Sequence, residues 1–334
     1  MADPLSPFLE VRPEGLYAPA FDAYLDPHEP VARAILSHAH SDHAVAGLQD
    51  LWATPETIAF YRRRHPDWTG LARALTPGET VDGGTTRLSF SPAGHILGSA
   101  QVFFEDGGRS LLYTGDFKRR AAATAAAAQT PAASVLLTET TFGLPVFRFP
   151  AREELAQRLV AACRGALEEG KTPILLAYAL GKSQEAAAIL SNAGLPTVFH
   201  GAAWKLLPDY AAAGFHFPLG RAYTDGPVAP GEVLIVPPNC ARTPVVQKIK
   251  KRRVIYLSGW AMRSASRADF DADVLLPMSD HADFDELLAH VDEVRPETVL
   301  TMHGYAKDFA RILKNRGIEA FPLAEIGERR PEDA

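Results

Sequence analysis

Cysteine is scarce in this sequence, since only Cys163 and Cys240 occur in 334 residues. Two cysteines cannot build the disulfide framework of a small secreted domain, and they fit a reducing compartment. No uninterrupted apolar run reaches the ~18 residues that a membrane-spanning helix needs. The first residues lack the basic start and apolar core of a secretion signal. We therefore expect a cytoplasmic protein that spans no membrane.

A net positive charge is also absent, because the formal net charge is −6. This balance argues against a broad nucleic-acid-binding face. Acids that bind divalent ions would nevertheless be partly neutralised. Basic residues cluster at 118–120 and 248–253, and solvated charge and phosphate contact are both open interpretations, with Lys118 and Arg119 as candidate substrate contacts. With 47% hydrophobic residues, the chain can bury the core of one large domain or two modest ones.

Three histidines and one aspartate are concentrated in residues 37–43, SHAHSDH. Imidazole and carboxylate groups together suit zinc or manganese, and one ion can hardly use so many side chains in one turn. His38 and His40 alternate along an extended chain and point the same way. Asp42 and His43 follow the bend and can face a second ion. A polar surface loop is the alternative interpretation of this cluster.

Several apolar strand patterns end in a residue that can bind a metal ion or accept a hydrogen bond. These residues are Asp26, His38, Asp116 and Glu139. Side chains gathered at one edge of a sheet are how a layered α/β domain builds a site. Asp26 is expected to orient an imidazole, although an aspartate before proline also forms turns. Residues 44–48 predict the first turn of a helix after the histidine cluster.

From about residue 150 to residue 250, strand and helix patterns alternate, which predicts a separate α/β unit. GKS at the start of one helix resembles part of a phosphate-binding loop, but Leu176 stands where that motif has its earlier glycine. A helix N-terminus with a lysine can still hold a phosphate. Gly181, Lys182 and Ser183 are therefore candidate substrate contacts.

Together these motifs resemble the metallo-β-lactamase superfamily, specifically its β-CASP branch of nucleic-acid hydrolases. The matching motifs are HAHSDH at 38–43, AGHILGS at 93–99, YTGD at 113–116, TETTFG at 138–143, SDHADF at 279–284 and MHG at 302–304. YALGKSQ at 178–184 and FGLPVF at 142–147 are most similar to the bacterial DNA-ligase-associated exonucleases, relatives of the Artemis-type repair nucleases. The histidine in MHG is more typical of RNA-processing members.

The resemblance implies an α/β fold with an αββα metallo-β-lactamase sandwich and an inserted α/β β-CASP cap domain. The sandwich would comprise residues 1–149 and 254–334, and the cap residues 150–253. It also implies two divalent metal ions, Zn or Mn. The implied ligands are His38, His40 and His95 for one ion, Asp42, His43 and His303 for the other, and Asp116 as the bridge.

In the mechanism that the resemblance implies, Asp42 and Asp116 act catalytically through the ions. His281 is the candidate general acid that protonates the leaving alkoxide. Glu139 would hydrogen-bond the His281 imidazole and keep it protonated and aimed. An ordinary helix-capping acid and a surface histidine are the alternative interpretations of Glu139 and His281.

The implied activity is hydrolysis of phosphodiester bonds in nucleic acid, with a DNA exonuclease of DNA repair favoured over RNA processing. Association with a DNA ligase or helicase repair system is also implied. An RNA-processing endo- or exonuclease of the same branch is the first alternative. A small-ester or thioester hydrolase is a second, although it does not need the inserted unit. A non-catalytic nucleic-acid-binding scaffold is a third, but all seven ligand positions carry competent residues.

Overall fold

The structure is a computed structural model that describes residues 3–327. Met1, Ala2 and residues 328–334, which belong to the first and last expected domain segments, lie outside the described residues. The strands are β1 (Glu10–Arg12), β2 (Gly15–Ala18), β3 (Ala23–Leu25), β4 (Arg33–Ile35), β5 (Asp50–Ala53), β6 (Leu71–Ala74), β7 (Thr80–Gly83), β8 (Thr86–Pro92), β9 (Ala100–Asp106), β10 (Arg109–Tyr113), β11 (Val135–Glu139), β12 (Thr172–Leu176), β13 (Thr197–Phe199), β14 (Gly220–Ala222), β15 (Val233–Val236), β16 (Arg252–Leu257), β17 (Val274–Leu276), β18 (Thr298–Met302) and β19 (Glu319–Pro322). The α-helices are α1 (Pro55–Arg64), α2 (Arg152–Glu168), α3 (Lys182–Asn192), α4 (Gly201–Trp204), α5 (Leu207–Ala212), α6 (Pro244–Gln247), α7 (Ser266–Phe270), α8 (Phe284–Val294), α9 (Ala306–Asn315) and α10 (Leu323–Gly327).

The chain forms two compact units. Both contain helices and strands, which confirms the predicted mixed α/β class. The first unit contains the chain up to Ala121, Ala125–Phe147, and the chain from His281 onward. The second contains Arg148–Asp280 and Ala122–Thr124. Within the described part of the chain, no helix is both long enough and apolar enough to cross a membrane.

The first unit contains two sheets. One sheet has the strand order β1-β2-β3-β4-β5-β6, and β3 to β6 run parallel. The other has the order β19-β18-β11-β10-β9-β8-β7, in which β10, β11, β18 and β19 run parallel. Because parallel strands end at the same edge of a sheet, the loops that follow β10, β11 and β18 are neighbours.

Alternation of apolar side chains gives each sheet of the first unit two buried faces. Leu111 and Tyr113 of β10 share a core with Ile35 of the other sheet, so the two sheets pack face to face. Leu112, between them in sequence, faces the opposite way and packs with α8 and α9. Helix α1 covers the outer face of the first sheet, where Ile58 joins a separate apolar cluster. The first unit therefore has four layers, with helices outside and sheets inside.

The second unit is one parallel sheet with the strand order β14-β13-β15-β12-β16-β17. Apolar clusters cover both faces, and α2 and α3 contribute to one of them. The unit ends at Asp280 rather than at the expected residue 253. The reason is that β16, which that boundary would divide, pairs with the central strand β12, and β17 pairs with β16.

The expected helix turn at residues 44–48 is wrong, because this segment forms turns and the next helix begins at Pro55. The backbone N–H of Ala44 does donate to the His40 carbonyl at 2.8 Å, which closes one helical turn. Gly47 then adopts φ +86°, in the left-handed region, and the helix does not continue. Strand β6 was not predicted, because its side chains are mostly exposed and show no apolar alternation.

His290 on α8 should make the protein less stable in acid. Its ring packs against Phe117 with centroids 4.4 Å apart, and neither ring nitrogen has a hydrogen-bond partner. Burial, reinforced by the charge of Arg119, lowers the pKa of His290 from 6.5 to about 3. Below pH 6.5 the His290 imidazole binds a proton in the unfolded chain but stays neutral in the folded chain. The free energy of unfolding should therefore fall with decreasing pH, by up to ~1.4 kcal/mol per pH unit from this residue.

Urea unfolding of wild type and His290→Leu at several pH values between 7.5 and 5 measures this contribution. The variant should lose less stability over that range than wild type. His216→Leu is the matched control, because His216 is an exposed histidine. Equal pH dependence in wild type and His290→Leu would contradict the assignment.

Candidate metal centre

The predicted site residues of the first unit lie where its parallel strands end. Asp26 directly follows β3 and His303 directly follows β18. Both have positive φ, at 38° and 59°, so the chain turns away from each strand at that residue. Glu139 is the last residue of β11, and Asp116 lies in the loop after the neighbouring β10. The predicted gathering of side chains at strand ends therefore has a structural basis.

One carboxylate oxygen, Oδ2 of Asp116, lies at the middle of an imidazole cluster. Four ring nitrogens lie 3.5–3.9 Å from it: His43 Nε2 at 3.5 Å, His38 Nε2 at 3.6 Å, His95 Nε2 at 3.7 Å and His281 Nδ1 at 3.9 Å. His40 joins the cluster through Nδ1, which is 2.9 Å from His95 Nε2. A carboxylate surrounded in this way can be shared between two cations.

Three sets of donor atoms are close enough to hold a metal ion, because the atoms of each set lie within 4.8 Å of one another. The sets are His38, His40, His95 with Asp116; Asp26, His38 with His43; and Asp116, Glu139 with His281. The Nε2 atom of His38 is buried and has no hydrogen-bond partner. A buried ring nitrogen without a partner is costly, and a cation would satisfy its lone pair. Nitrogen and oxygen donors of this kind fit zinc or manganese.

Burial and charge set the protonation of this cluster. Burial and the neighbouring imidazolium charges hold the pKa of His38 well below its usual value, so its ring is neutral and ligand-competent. Burial also lowers the pKa of His43, but the carboxylates of Asp116 and Asp26 outweigh it and hold the pKa well above the usual value. Burial raises the pKa of Asp116, but the surrounding histidines outweigh it and keep this pKa well below its usual range.

Asp26 lies beside an imidazole, as the sequence analysis expected. Its carboxylate accepts from His43 Nδ1 at 2.9 Å, from the Ser37 backbone N–H at 2.7 Å and from the Tyr113 hydroxyl at 2.8 Å. The bond to Nδ1 leaves His43 Nε2 directed at Asp116. Burial and Asp26 raise the pKa of Tyr113 well above its usual value, so the hydroxyl keeps its proton. Ser37 and Tyr113 were not predicted as parts of the site, because a serine or a tyrosine at the end of an apolar strand also fits an ordinary core.

Tyr113→Phe should weaken metal binding about 10-fold, because Asp26 then loses one of the bonds that orient it toward His43. Competition with a metal-binding dye measures the affinity. Tyr17→Phe is the matched control, since its hydroxyl donates to Asp22 at 2.8 Å in an exposed pair. An unchanged affinity in Tyr113→Phe would mean that this hydroxyl does not support the centre.

Glu139 holds the His281 imidazole through Nδ1, at 2.9 and 3.1 Å from its two oxygens. The carboxylate is almost fully buried, and it accepts from the Phe117 backbone N–H at 2.9 Å and from the Thr141 N–H at 3.3 Å. The His281 side chain is partly exposed. Because Nδ1 faces Glu139, the proton that this ring can transfer is the one on Nε2.

Two predicted ligands lie at the margin of the cluster. Asp42 is exposed. Burial lowers the pKa of Arg64, and the negative charge of Asp42 opposes this shift without outweighing it. His303 is also exposed, with its ring centroid 5.8 Å from that of His43. Among residues 3–327, neither belongs to the three donor sets. The structure thus brings five of the seven predicted ligands together in the donor sets. Of the other two, Asp42 precedes His43 in the sequence, and the His303 ring lies near the His43 ring.

The contacts of Lys118 and Arg119 with substrate stay a prediction. Lys118 is buried, as Asp116 is. The Arg119 guanidinium forms a partly exposed ion pair with Glu293 of α8.

The GKS loop of the second unit also differs from expectation. Lys182 is 1% exposed, and its Nζ lies 2.7 Å from Asp280 Oδ1 and 2.9 Å from Glu185 Oε2. The Gly181 N–H donates to the Gln184 side chain, and the Ser183 hydroxyl donates to the Tyr178 carbonyl. These polar groups serve the protein itself, which corrects their interpretation as substrate contacts.

Glycine is required in two of the loops that carry ligands. Gly115 has φ +53°, and a Cβ there would lie 2.6 Å from the Ser37 side chain. Gly94 has φ +77°, and a Cβ there would lie 2.1 Å from the Lys118 carbonyl oxygen. The conformations that place Asp116 and His95 are therefore open to glycine and strained for other residues.

No family model matches this chain. The chain is 38% identical over 316 residues to a probable DNA ligase of Opitutus terrae, covering 93% of this chain and 30% of that protein. It is 36% identical over 108 residues to an RNase J-like protein of Methanocaldococcus jannaschii, covering 32% of this chain and 26% of that protein. The chain thus spans less than a third of either relative.

Among solved structures, a protein of unknown function from Enterococcus faecalis has a similar fold, with a TM-score of 0.59 at 15% identity. The similarity covers 88% of this chain and 79% of that one. These sequence similarities confirm the resemblance to the β-CASP branch of the metallo-β-lactamase superfamily that was drawn from the motifs. Over nearly its whole length, the chain is similar to part of a DNA ligase.

Proposed function

We propose that the protein is a metal-dependent nuclease that hydrolyses phosphodiester bonds in nucleic acid. The observation that carries this proposal is the cluster of four imidazole nitrogens around Asp116 Oδ2, with the His281–Glu139 pair at its side. This arrangement combines donor atoms for cations with a group that can transfer a proton. Metal-assisted hydrolysis of a phosphodiester can use both.

In this proposal, His38, His40 and His95 would hold one divalent ion, and Asp42, His43 and His303 would hold the other. Asp116 would contribute its carboxylate to both, and zinc or manganese would fit the donors. Paired divalent ions supply a water nucleophile at neutral pH and stabilise the charge that develops on the phosphodiester oxygens. Asp26 keeps His43 oriented, because its carboxylate already accepts the proton on Nδ1.

His281 is the proposed general acid. As the bond from phosphorus to the leaving oxygen breaks, the electron pair goes to that oxygen, and Nε2 of His281 supplies its proton. Glu139 favours the protonated ring and fixes its direction, since both of its oxygens lie within hydrogen-bond distance of Nδ1. Glu139 is itself fixed by two backbone N–H groups.

We further propose DNA as the substrate, attacked from an end, in DNA repair alongside a DNA ligase or helicase system. The support is that the similarity to a probable DNA ligase extends over 93% of this chain. A β-CASP RNA-processing nuclease is the second candidate, favoured by His303 and by the match to an RNase J-like protein. The cytoplasm is the proposed location, consistent with two cysteines outside any disulfide.

The domain interpretation is part of the same proposal. The four layers of the first unit correspond to an αββα metallo-β-lactamase sandwich, and the second unit corresponds to the β-CASP cap. On this view the cap is the insertion Arg148–Asp280. The sandwich then consists of the chain before and after it.

Digestion of matched single- and double-stranded DNA and RNA, labelled at either end, tests the proposal. Each substrate is incubated with metal-stripped protein and added zinc, manganese or magnesium. Loss of single nucleotides from DNA ends, dependent on added metal, is the expected result. Preferential cleavage of RNA would favour the second candidate, and undiminished cleavage in chelator would contradict the metal-dependent mechanism.

A further inference from the structure

Lys182 carries a buried charge in the second unit that the proposed mechanism does not use. Lys182 is the first residue of α3, and its ammonium lies between Asp280 and Glu185. Burial lowers the pKa of Lys182, but the two carboxylates outweigh it and raise the pKa above its usual value. The side chain therefore keeps its charge. Burying an ion triad is expensive, and an apolar side chain would pack a helix start at lower cost.

The surrounding loop is built to hold this lysine inward. Gly181 has φ +91°, and its N–H donates to the Gln184 side chain at 2.8 Å. The Ser183 hydroxyl donates to the Tyr178 carbonyl at 2.7 Å. These bonds fix the backbone at the start of α3, from which the Lys182 side chain projects. The motif that resembles a phosphate-binding loop thus presents its cation to carboxylates of the same unit.

Asp280 is the carboxylate that lies closer to Lys182 Nζ, and it is the residue directly before His281. It is nearly buried, and its Oδ1 lies 2.7 Å from Lys182 Nζ. Asp280 ends the second unit, and the chain enters the first unit at His281. The hydrogen bonds to Glu139 fix the His281 ring, and the Ala282 N–H, which donates to the Phe117 carbonyl at 2.7 Å, fixes the chain after it. The ion pair of Asp280 acts on the chain before it.

We propose that Lys182 is a positioning residue for His281, acting through its ion pair with Asp280. The pair anchors the peptide that precedes His281, while Glu139 anchors the ring. This inference rests on the proposed role of His281 as general acid. A displacement of about 1 Å can cost a large part of a catalytic group's effect, so a second anchor has a kinetic value.

Lys182→Met removes the charge and keeps a similar length. We expect kcat on a nucleic-acid substrate to fall about 10-fold or more, with KM and bound metal unchanged. Lys182→Arg keeps the charge and should recover part of the rate. Lys171→Met is the matched control, because Lys171 pairs with Glu169 in an exposed ion pair of the same unit.

A leaving-group comparison separates proton donation from general damage. An aryl phosphodiester such as bis(p-nitrophenyl) phosphate releases a stable anion and needs no general acid. Lys182→Met should therefore hydrolyse it at nearly the wild-type rate. An equal loss on both substrates would overturn the proposal, because damage to the metal centre or the fold would then explain the effect.

A double-mutant cycle with His281→Ala tests the same coupling independently. Lys182→Met should cost less than about 2-fold in the His281→Ala background, since its effect passes through the missing imidazole. The same fold-loss in both backgrounds would overturn the role of Lys182 alone. A His281→Ala protein with the wild-type rate would instead overturn the general-acid assignment on which both depend.

Hydrogen exchange measured by mass spectrometry reports the anchor without any activity. In metal-free protein, Lys182→Met should speed exchange in peptides covering residues 277–283 and leave the β10 and β11 peptides unchanged. Unchanged exchange at 277–283 would show that the ion pair does not hold this segment. Faster exchange in all peptides would show that Lys182→Met has lost its fold. In that case the same measurement is made on Lys182→Met/Asp280→Asn, which keeps the charge balance of the pair. The proposal requires that exchange at residues 277–283 is faster in this double variant than in wild type.

Discussion

Asp116→Asn should abolish nuclease activity, by about 10³-fold or more, and release the bound metal while the protein stays folded. The substitution keeps the shape of the side chain but replaces a shared anionic ligand with a neutral amide. Asp116 Oδ2 lies 3.5–3.7 Å from a ring nitrogen of each of His38, His43 and His95. Without this charge, the centre loses several kcal/mol of the stabilisation that it offers to a charged transition state.

Metal content by mass spectrometry and cleavage of end-labelled DNA measure the two effects of Asp116→Asn. Circular dichroism and thermal unfolding establish that the fold persists. Asp67→Asn, an exposed aspartate outside the centre, serves as the control and should retain both properties. His40→Ala should reproduce the loss. An Asp116→Asn protein that cleaves at the wild-type rate would refute the centre.

His281→Ala is expected to slow the chemical step by about 10²–10⁴-fold, the usual contribution of a general acid, with both metal sites intact. The effect should vanish on an activated aryl phosphodiester, whose leaving group needs no proton. Glu139→Gln should slow the reaction in the same sense but less, because it removes the charge that favours the protonated imidazole.

Metal content is the deciding measurement for His281→Ala. Its Nδ1 lies 3.9 Å from Asp116 Oδ2, close to the 3.5–3.7 Å of the His38, His43 and His95 nitrogens, so a ligand role is the competing explanation. If the purified variant has lost metal in proportion to its lost activity, His281 is a ligand and the acid must be sought elsewhere. His216→Ala, an exposed histidine in the second unit, controls for non-specific effects.

Much of the fold follows from local sequence patterns. The alternating strand and helix patterns from about residue 150 to residue 250 predict a separate α/β unit, and this part of the chain forms β12 to β15 and α2 to α6. Strand β6 was missed because its Leu71 side chain is exposed, and no alternation marks it. The boundary at residue 253 failed because strand order depends on pairing between distant segments, which local patterns do not record.

The candidate site was predictable to the extent that its residues are of metal-binding types and lie in sequence motifs. Histidines and acids at strand ends carry a chemical signal, and Asp116, His38 and Glu139 were found through it. Hydrogen-bond partners such as Tyr113 carry no such signal, because a tyrosine in an apolar strand also fits an ordinary core. Lys182 was misjudged for a related reason: a lysine at a helix start suggests an anion from outside, whereas the carboxylate of Asp280 lies far away in sequence.

The split construction of the first unit has a consequence during synthesis on the ribosome. Strand β11 is fully buried and pairs with β18 along its whole length, yet the two are separated by the entire second unit. A nascent chain therefore exposes the apolar edge of β11 until residues 298–302 have emerged. Stalled or truncated chains should aggregate through that edge, and a chaperone that covers unpaired strands would be needed most in this interval.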